Sequence, residues 1–108
     1  MNRSTVLGVL LLVGFASAAS AQDKAKGEAV YTAQKCQLCH SIAGKGNPKG
    51  ALDAVGTKLK AEDIRAWIVD AKGQTAKTGA TRKPDMKSYS LPKEDVDNLV
   101  AYLQTLKK

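Results

Sequence analysis

The chain has 108 residues, 44% hydrophobic and 5% aromatic, with 17 Lys and Arg against 10 Asp and Glu and a net charge of +7. That length holds one small domain and excludes an enzyme assembled from separate cofactor and substrate halves. The 25% charged fraction and the apolar content are ordinary for a folded chain. Two cysteines are too few for a disulfide framework.

Residues 1–21 read as a secretory signal peptide. Arg3 gives a positive start, Val6 to Phe15 is an apolar run too short to span a bilayer comfortably, and Ala19-Ser20-Ala21 matches the small-residue cleavage pattern. Cleavage after Ala21 leaves residues 22–108 as one domain, periplasmic or otherwise exported, with no stable membrane insertion. No cysteine lies beside the cleavage site to carry a lipid. The exported part keeps one His (His40), one Trp (Trp67) and one Met (Met86), with Tyr31, Tyr89 and Tyr102 as its other aromatics. A domain so small and so poor in large side chains needs a staple: a disulfide, a metal or a large apolar cofactor.

In chain order, Lys24–Gln34 is predicted helical, with Ala25, Ala29, Val30 and Ala33 as its apolar stripe. Gly27 within it costs about 1 kcal/mol against Ala, and is either merely tolerated there or admits the close approach of another backbone. Ser41–Gly50 is rich in Gly, Lys, Asn and Pro and reads as a loop. A short helical turn is expected over Asp53–Leu59. Ala61–Ala71 is a stronger helix: Ile64, Trp67, Ile68 and Ala71 share a face, Glu62 and Asp63 sit at its positive end, and Gly73 is expected to stop it. Gly73–Ser90 lacks any period and reads as a long loop of the functional kind. The last helix starts near Pro92, with Val96, Leu99, Val100, Leu103 and Leu106 on its apolar face and Lys107 and Lys108 at its end. No strand is predicted, so the fold class is all-α.

Cys36-Gln37-Leu38-Cys39-His40 is C-x-x-C-H, the spacing of c-type haem attachment. On a helical turn residues i and i+3 share a face, so both thiols reach the two vinyl-derived carbons of one porphyrin. The imidazole next in line then reaches the iron. A thioredoxin-type redox pair would need a βαβ setting, which is absent. A structural zinc site needs four ligands, and a disulfide across three residues closes almost no loop. Met86, in Arg82-Lys83-Pro84-Asp85-Met86-Lys87, is the available thioether for the second axial position; Lys83 and Lys87 are the rivals, and ligation by either requires losing a proton held at high pKa. A soft thioether favours ferrous iron and raises the potential.

On these residues the chain resembles a small bacterial class I, monohaem cytochrome c over nearly its whole exported length. The resemblance implies three to four helices wrapped around one covalent haem c. Gly27 and Tyr31 would pack against Leu99, Tyr102 and Leu103 of the last helix, and Pro84–Lys87 would be the Met loop. Three departures stand out. Tyr31 lies five residues before Cys36, one more than in many members; Asp85 takes a place often held by Pro; and Gly50-Ala51 replaces a Gly-Pro, so that the Ala51 carbonyl is expected to hold His40. The resemblance offers Trp67 two roles, tying a haem propionate or packing on the haem edge, and its place on the helix's apolar stripe favours packing.

The function implied is a carrier of single electrons, not an enzyme: with Cys36 and Cys39 as attachment sites and His40 and Met86 as axial ligands, no position is open to substrate. The alternative is a five-coordinate haem sensor or small haem enzyme in which Met86 does not ligate. Partners are expected to be redox proteins with an acidic patch, met by Lys35, Lys45, Lys49, Lys83 and Lys87 around the haem edge, with the carrier acting as a monomer. The basic residues are spread without aromatic interleaving, so no nucleic acid is expected.

Overall fold

The computed structural model describes residues 23–108; the signal segment and its cleavage site lie outside the described residues. Helix α1 spans Lys24–Ala33 and is opened by Asp23, whose carboxylate accepts the Ala25 and Lys26 N–H groups at 2.9 and 3.1 Å. Of the predicted apolar stripe only Val30 packs against the core, half-buried. Ala25, Ala29 and Ala33 are exposed, whereas Gly27 and Tyr31, one turn apart, are buried. The reason lies in the last helix, Lys93–Gln104, which approaches so closely that backbone meets backbone. A Cβ on Gly27 would overlap the Asn98 carbonyl and come within 2.7 Å of Tyr102 Cβ. Beside this crossing the Tyr31 and Tyr102 rings meet edge to face, with centroids 6.1 Å apart. Asn98, 1% exposed, accepts the Asp23 N–H at 2.9 Å and so ties the start of α1 to the last helix.

The predicted Ser41–Gly50 loop contains regular structure. Strands β1 (Ser41–Ile42) and β2 (Lys45–Gly46) pair antiparallel, correcting the expectation of no strand. Ala43 (φ 52°) and Gly44 (φ 78°) supply the two left-handed residues of a tight hairpin turn, and Asp53 fixes it by accepting the Ala43 N–H at 2.8 Å. Two-residue strands are too short to print an alternation on the sequence. A 3-10 turn follows over Pro48–Gly50, capped by Asn47.

Helix α2 is the expected short turn, Val55–Lys58. Helix α3 (Ala61–Val69) buries Ile64 and Ile68. Gly73 does not stop it. The backbone turns at Asp70 (φ −143°, ψ 55°), and a separate helix, α4, runs Ala71–Thr78 straight through Gly73. The Asp70 carboxylate accepts the Gly73 N–H at 3.1 Å, and a Cβ at residue 73 would overlap that carboxylate. The glycine makes room for the cap that starts α4, and the irregular loop begins only at Gly79 (φ 69°).

Helix α5 (Lys93–Gln104) carries Glu94 and Asp95 in its first turn and buries Val96, Leu99, Val100 and Leu103 as predicted, but it ends before Lys107 and Lys108. Beyond it, the Gly56 N–H donates to the Leu106 carbonyl at 2.9 Å, docking α2 on the end of α5. Asp97 on α5 pairs with Lys93, one turn before it, and with Arg65 of α3, which in that order hold its carboxyl below the usual range. Tyr31, Ile64, Ile68, Val96, Leu99, Val100 and Leu103 form the core. The class is all-α, with five α-helices among the described residues where three to four were expected.

Candidate haem site

The site begins where α1 ends. The Gln34 N–H closes on the Val30 carbonyl at 2.9 Å, Lys35 adopts a left-handed conformation (φ 56°), and one 3-10 turn follows over Cys36–Leu38. The Cys39 and His40 N–H groups both donate to the Cys36 carbonyl, at 3.1 and 2.9 Å. This turn sets the two thiols three residues apart and leads directly into the imidazole. Neither cysteine is in a disulfide; Cys39 is exposed, whereas Cys36 is half-buried and burial pushes its thiol pKa up.

His40 Nδ1 lies 2.9 Å from the Gly50 carbonyl oxygen. A carbonyl only accepts, so Nδ1 carries the proton and the Nε2 lone pair is left for a metal. Burial lowers the imidazole pKa, the Gly50 bond opposes this, and the positive charge of Arg82 lowers it further. The ring is thus held in the neutral form that ligation requires. The carbonyl comes from Gly50, not from Ala51 as expected. Asn47 caps the 3-10 turn by accepting the Lys49 N–H at 3.0 Å, and that turn delivers Gly50 to the imidazole. Ala51 is turned instead toward a parallel bridge with Ser41.

Cys36, Cys39, His40 and Met86 all line one cavity of about 560 Å³. Its apolar wall includes Leu52, Leu59, Ile64, Trp67, Leu99 and Leu103. Helix α3 contributes Ile64 and Ile68, which are buried in the core and also reach the cavity wall, and Trp67, which is half-buried and lines it. Tyr31 also lines it; its hydroxyl is buried without a partner, and burial, with lesser help from Cys36, raises its pKa to about 12.

Met86 arrives on the loop after α4, which hydrogen bonds to other segments hold in place, the Lys72 N–H to Ser88 Oγ at 3.5 Å among them. The Tyr89 N–H donates to the Ile68 carbonyl at 2.8 Å, and Arg82 Nη2 donates to the Cys39 carbonyl at 2.5 Å. The two lysines flanking Met86 are engaged elsewhere: Lys83 pairs with Asp85 at 2.7 Å, and Lys87 Nζ stands 4.8 Å over the Tyr89 ring.

The cytochrome c family model matches residues 24–107. This chain belongs to the cytochrome c family, as a class I member. No curated protein and no solved structure matches it. As a cytochrome c it carries covalently attached haem c and belongs among haem-binding electron carriers. The residues fit that group. Two thiols, a neutral imidazole with a free Nε2 and a thioether converge on an apolar cavity, whose volume falls within the roughly 300–1,000 Å³ typical of cofactor pockets.

Sequence reasoning missed three contributors to the cytochrome's site. Gly50 was signalled by Asn47-Pro48, a turn-initiating pair that predicts where the chain reverses. Arg82 and the Tyr89 backbone carried no signal, because each acts on a residue far away in the chain, Cys39 and Ile68.

Proposed function

We propose that the cytochrome is an exported, soluble carrier of single electrons, with haem bonded to Cys36 and Cys39 and with His40 and Met86 as axial iron ligands. The observation that carries this reading is the meeting of those four residues, from two distant segments, on one apolar cavity. Each thiol S–H adds across a vinyl group, forming one S–C bond and passing its hydrogen to the neighbouring carbon. Bound haem supplies a one-electron iron couple. The chain's residues set its properties. The Gly50 carbonyl orients His40 and strengthens its donation, the Met86 thioether favours the ferrous state, and the apolar wall excludes water. Export rests on the signal-like segment at 1–21.

The docking face we assign is the cavity mouth. Leu38, 68% exposed, lies between the two attachment cysteines and offers an apolar contact. Lys35, Lys45 and Lys49 surround the motif in the chain, are exposed, and form no ion pair among the described residues. That arrangement suits an acidic redox partner.

In the haem-loaded protein, Met86→Ala is expected to abolish the weak long-wavelength sulfur–iron band of the ferric form and to lower the potential. An unchanged ferric spectrum and potential would reduce Met86 to packing and favour the five-coordinate alternative.

A further inference from the structure

The space over the Cα of Gly50 is shared by three groups. A Cβ built there would overlap the Cys39 carbonyl oxygen and Arg82 Nη1, and would stand 2.9 Å from His40 Nδ1. The guanidinium thus sits beside the very hydrogen bond that orients the imidazole. It arrives from 43 residues away, on the loop that carries Met86, and its other terminal nitrogen donates to the Cys39 carbonyl at 2.5 Å. Arg82 is the one arginine lining the cavity, and among the described residues it forms no ion pair. Asp85, the nearest acid in sequence, is taken by Lys83.

We infer that Arg82 is a positioning residue for His40 and a fixed positive charge on its outer side, one that favours the reduced state of the haem. The inference rests on His40 as an axial ligand. Losing an electron adds a positive charge at the iron, and a neighbouring guanidinium that never deprotonates opposes this at every accessible pH. The same charge beside the Nδ1–H bond to Gly50 draws electron density from the imidazole and weakens its donation to ferric iron. Both effects act in one direction. Because Arg82 also holds the Cys39 carbonyl, its side chain joins the Met86 loop to the segment that bears His40.

The test compares haem-loaded wild-type protein with Arg82→Gln and Arg82→Lys by midpoint potential and optical spectrum. Arg82→Gln should stay low-spin yet shift the ferric–ferrous balance toward ferric by roughly three- to tenfold, tenfold being about 59 mV for one electron. Arg82→Lys, which keeps the charge and loses the fork, should retain most of the wild-type potential. A wild-type potential in Arg82→Gln, or Arg82→Lys falling as far as Arg82→Gln, would overturn the inference. Should Arg82→Gln fail to fold, nitrogen-resolved NMR of the wild-type protein decides. Slowly exchanging Arg82 guanidinium protons whose shifts move between ferric and ferrous forms support it; freely exchanging, unmoved ones refute it. Failure of the ligation reading itself looks different: His40→Ala would then keep the wild-type low-spin spectrum.

Discussion

Tyr31 shows how a single atom can work against the fold that contains it. Its ring fills the space beside Tyr102, but its hydroxyl is buried with no partner. An unmet buried polar group costs about 1–3 kcal/mol. Tyr31→Phe keeps the ring and removes that cost, so denaturant melts should show equal or greater stability. A loss above about 1 kcal/mol would mean that the hydroxyl is bonded in the haem-loaded protein. The pH dependence has a definite sign. The phenol titrates at 10.0 when free and at about 12 in the fold. Above pH 10 the unfolded chain releases a proton that the folded chain retains, so stability falls as pH rises from 10 toward 12. Tyr31→Phe should lessen that alkaline loss. The difference between Gly50 and Ala51 belongs to this scale too. The resemblance implied that a carbonyl near residue 50 faces His40, but which one depends on a single 3-10 turn.

At the scale of elements, the crossing of α1 and α5 depends on Gly27. Gly27→Ala should destabilise the haem-loaded protein by about 1–3 kcal/mol, the range for overfilling a packed contact, read from denaturant melts. A neutral result would mean that the helices separate without cost. Gly27 and the apolar face of α5 were legible because each leaves a mark of its own. A glycine inside a helix signals a close neighbour, and Val and Leu repeating at helical spacing signal a buried face. The alanine stripe of α1 misled, because alanine satisfies an apolar pattern yet loses little when left in water. Helix α4 was invisible for the opposite reason. It buries only Ala71 and Gln74, so it prints no apolar period, and its Gly73 serves the Asp70 cap rather than a stop. The C-x-x-C-H spacing was visible in the sequence because it is local, and the structure brings its three residues to the wall of one cavity. Arg82 was not visible, because its role is defined by a contact across 43 positions.

For the whole molecule, the proposed docking face makes charge the test of how the carrier meets a partner. The lysines expected at the haem edge are not equivalent. Lys83 is paired with Asp85 and Lys87 lies over Tyr89, whereas Lys35, Lys45 and Lys49 have no such partner among the described residues. With an acidic redox partner, the bimolecular electron-transfer rate should fall steeply with salt, since the Debye length drops from about 30 Å at 0.01 M to about 10 Å at 0.1 M. Lys45→Glu with Lys49→Glu should flatten that dependence more than Lys83→Glu does, with the haem spectrum unchanged. Stopped-flow rates that ignore salt, or that respond equally to all three changes, would remove the lysines as the docking device.

The bond from Asp23 to Asn98 spans 75 positions, whereas the one from His40 to Gly50 spans 10. Loop-closure entropy grows with the logarithm of the enclosed length, so the longer closure costs about 1.8 kcal/mol more than the shorter. The ligand turn and its carbonyl can assemble from neighbours while the rest of the chain is still open. The helix pair cannot, because its two strands of contact are nearly the whole domain apart. Closure entropy alone therefore favours the ligand turn over the helix pair, and the last helix is expected to close over a Cys36–Cys39 segment still reachable for bond formation.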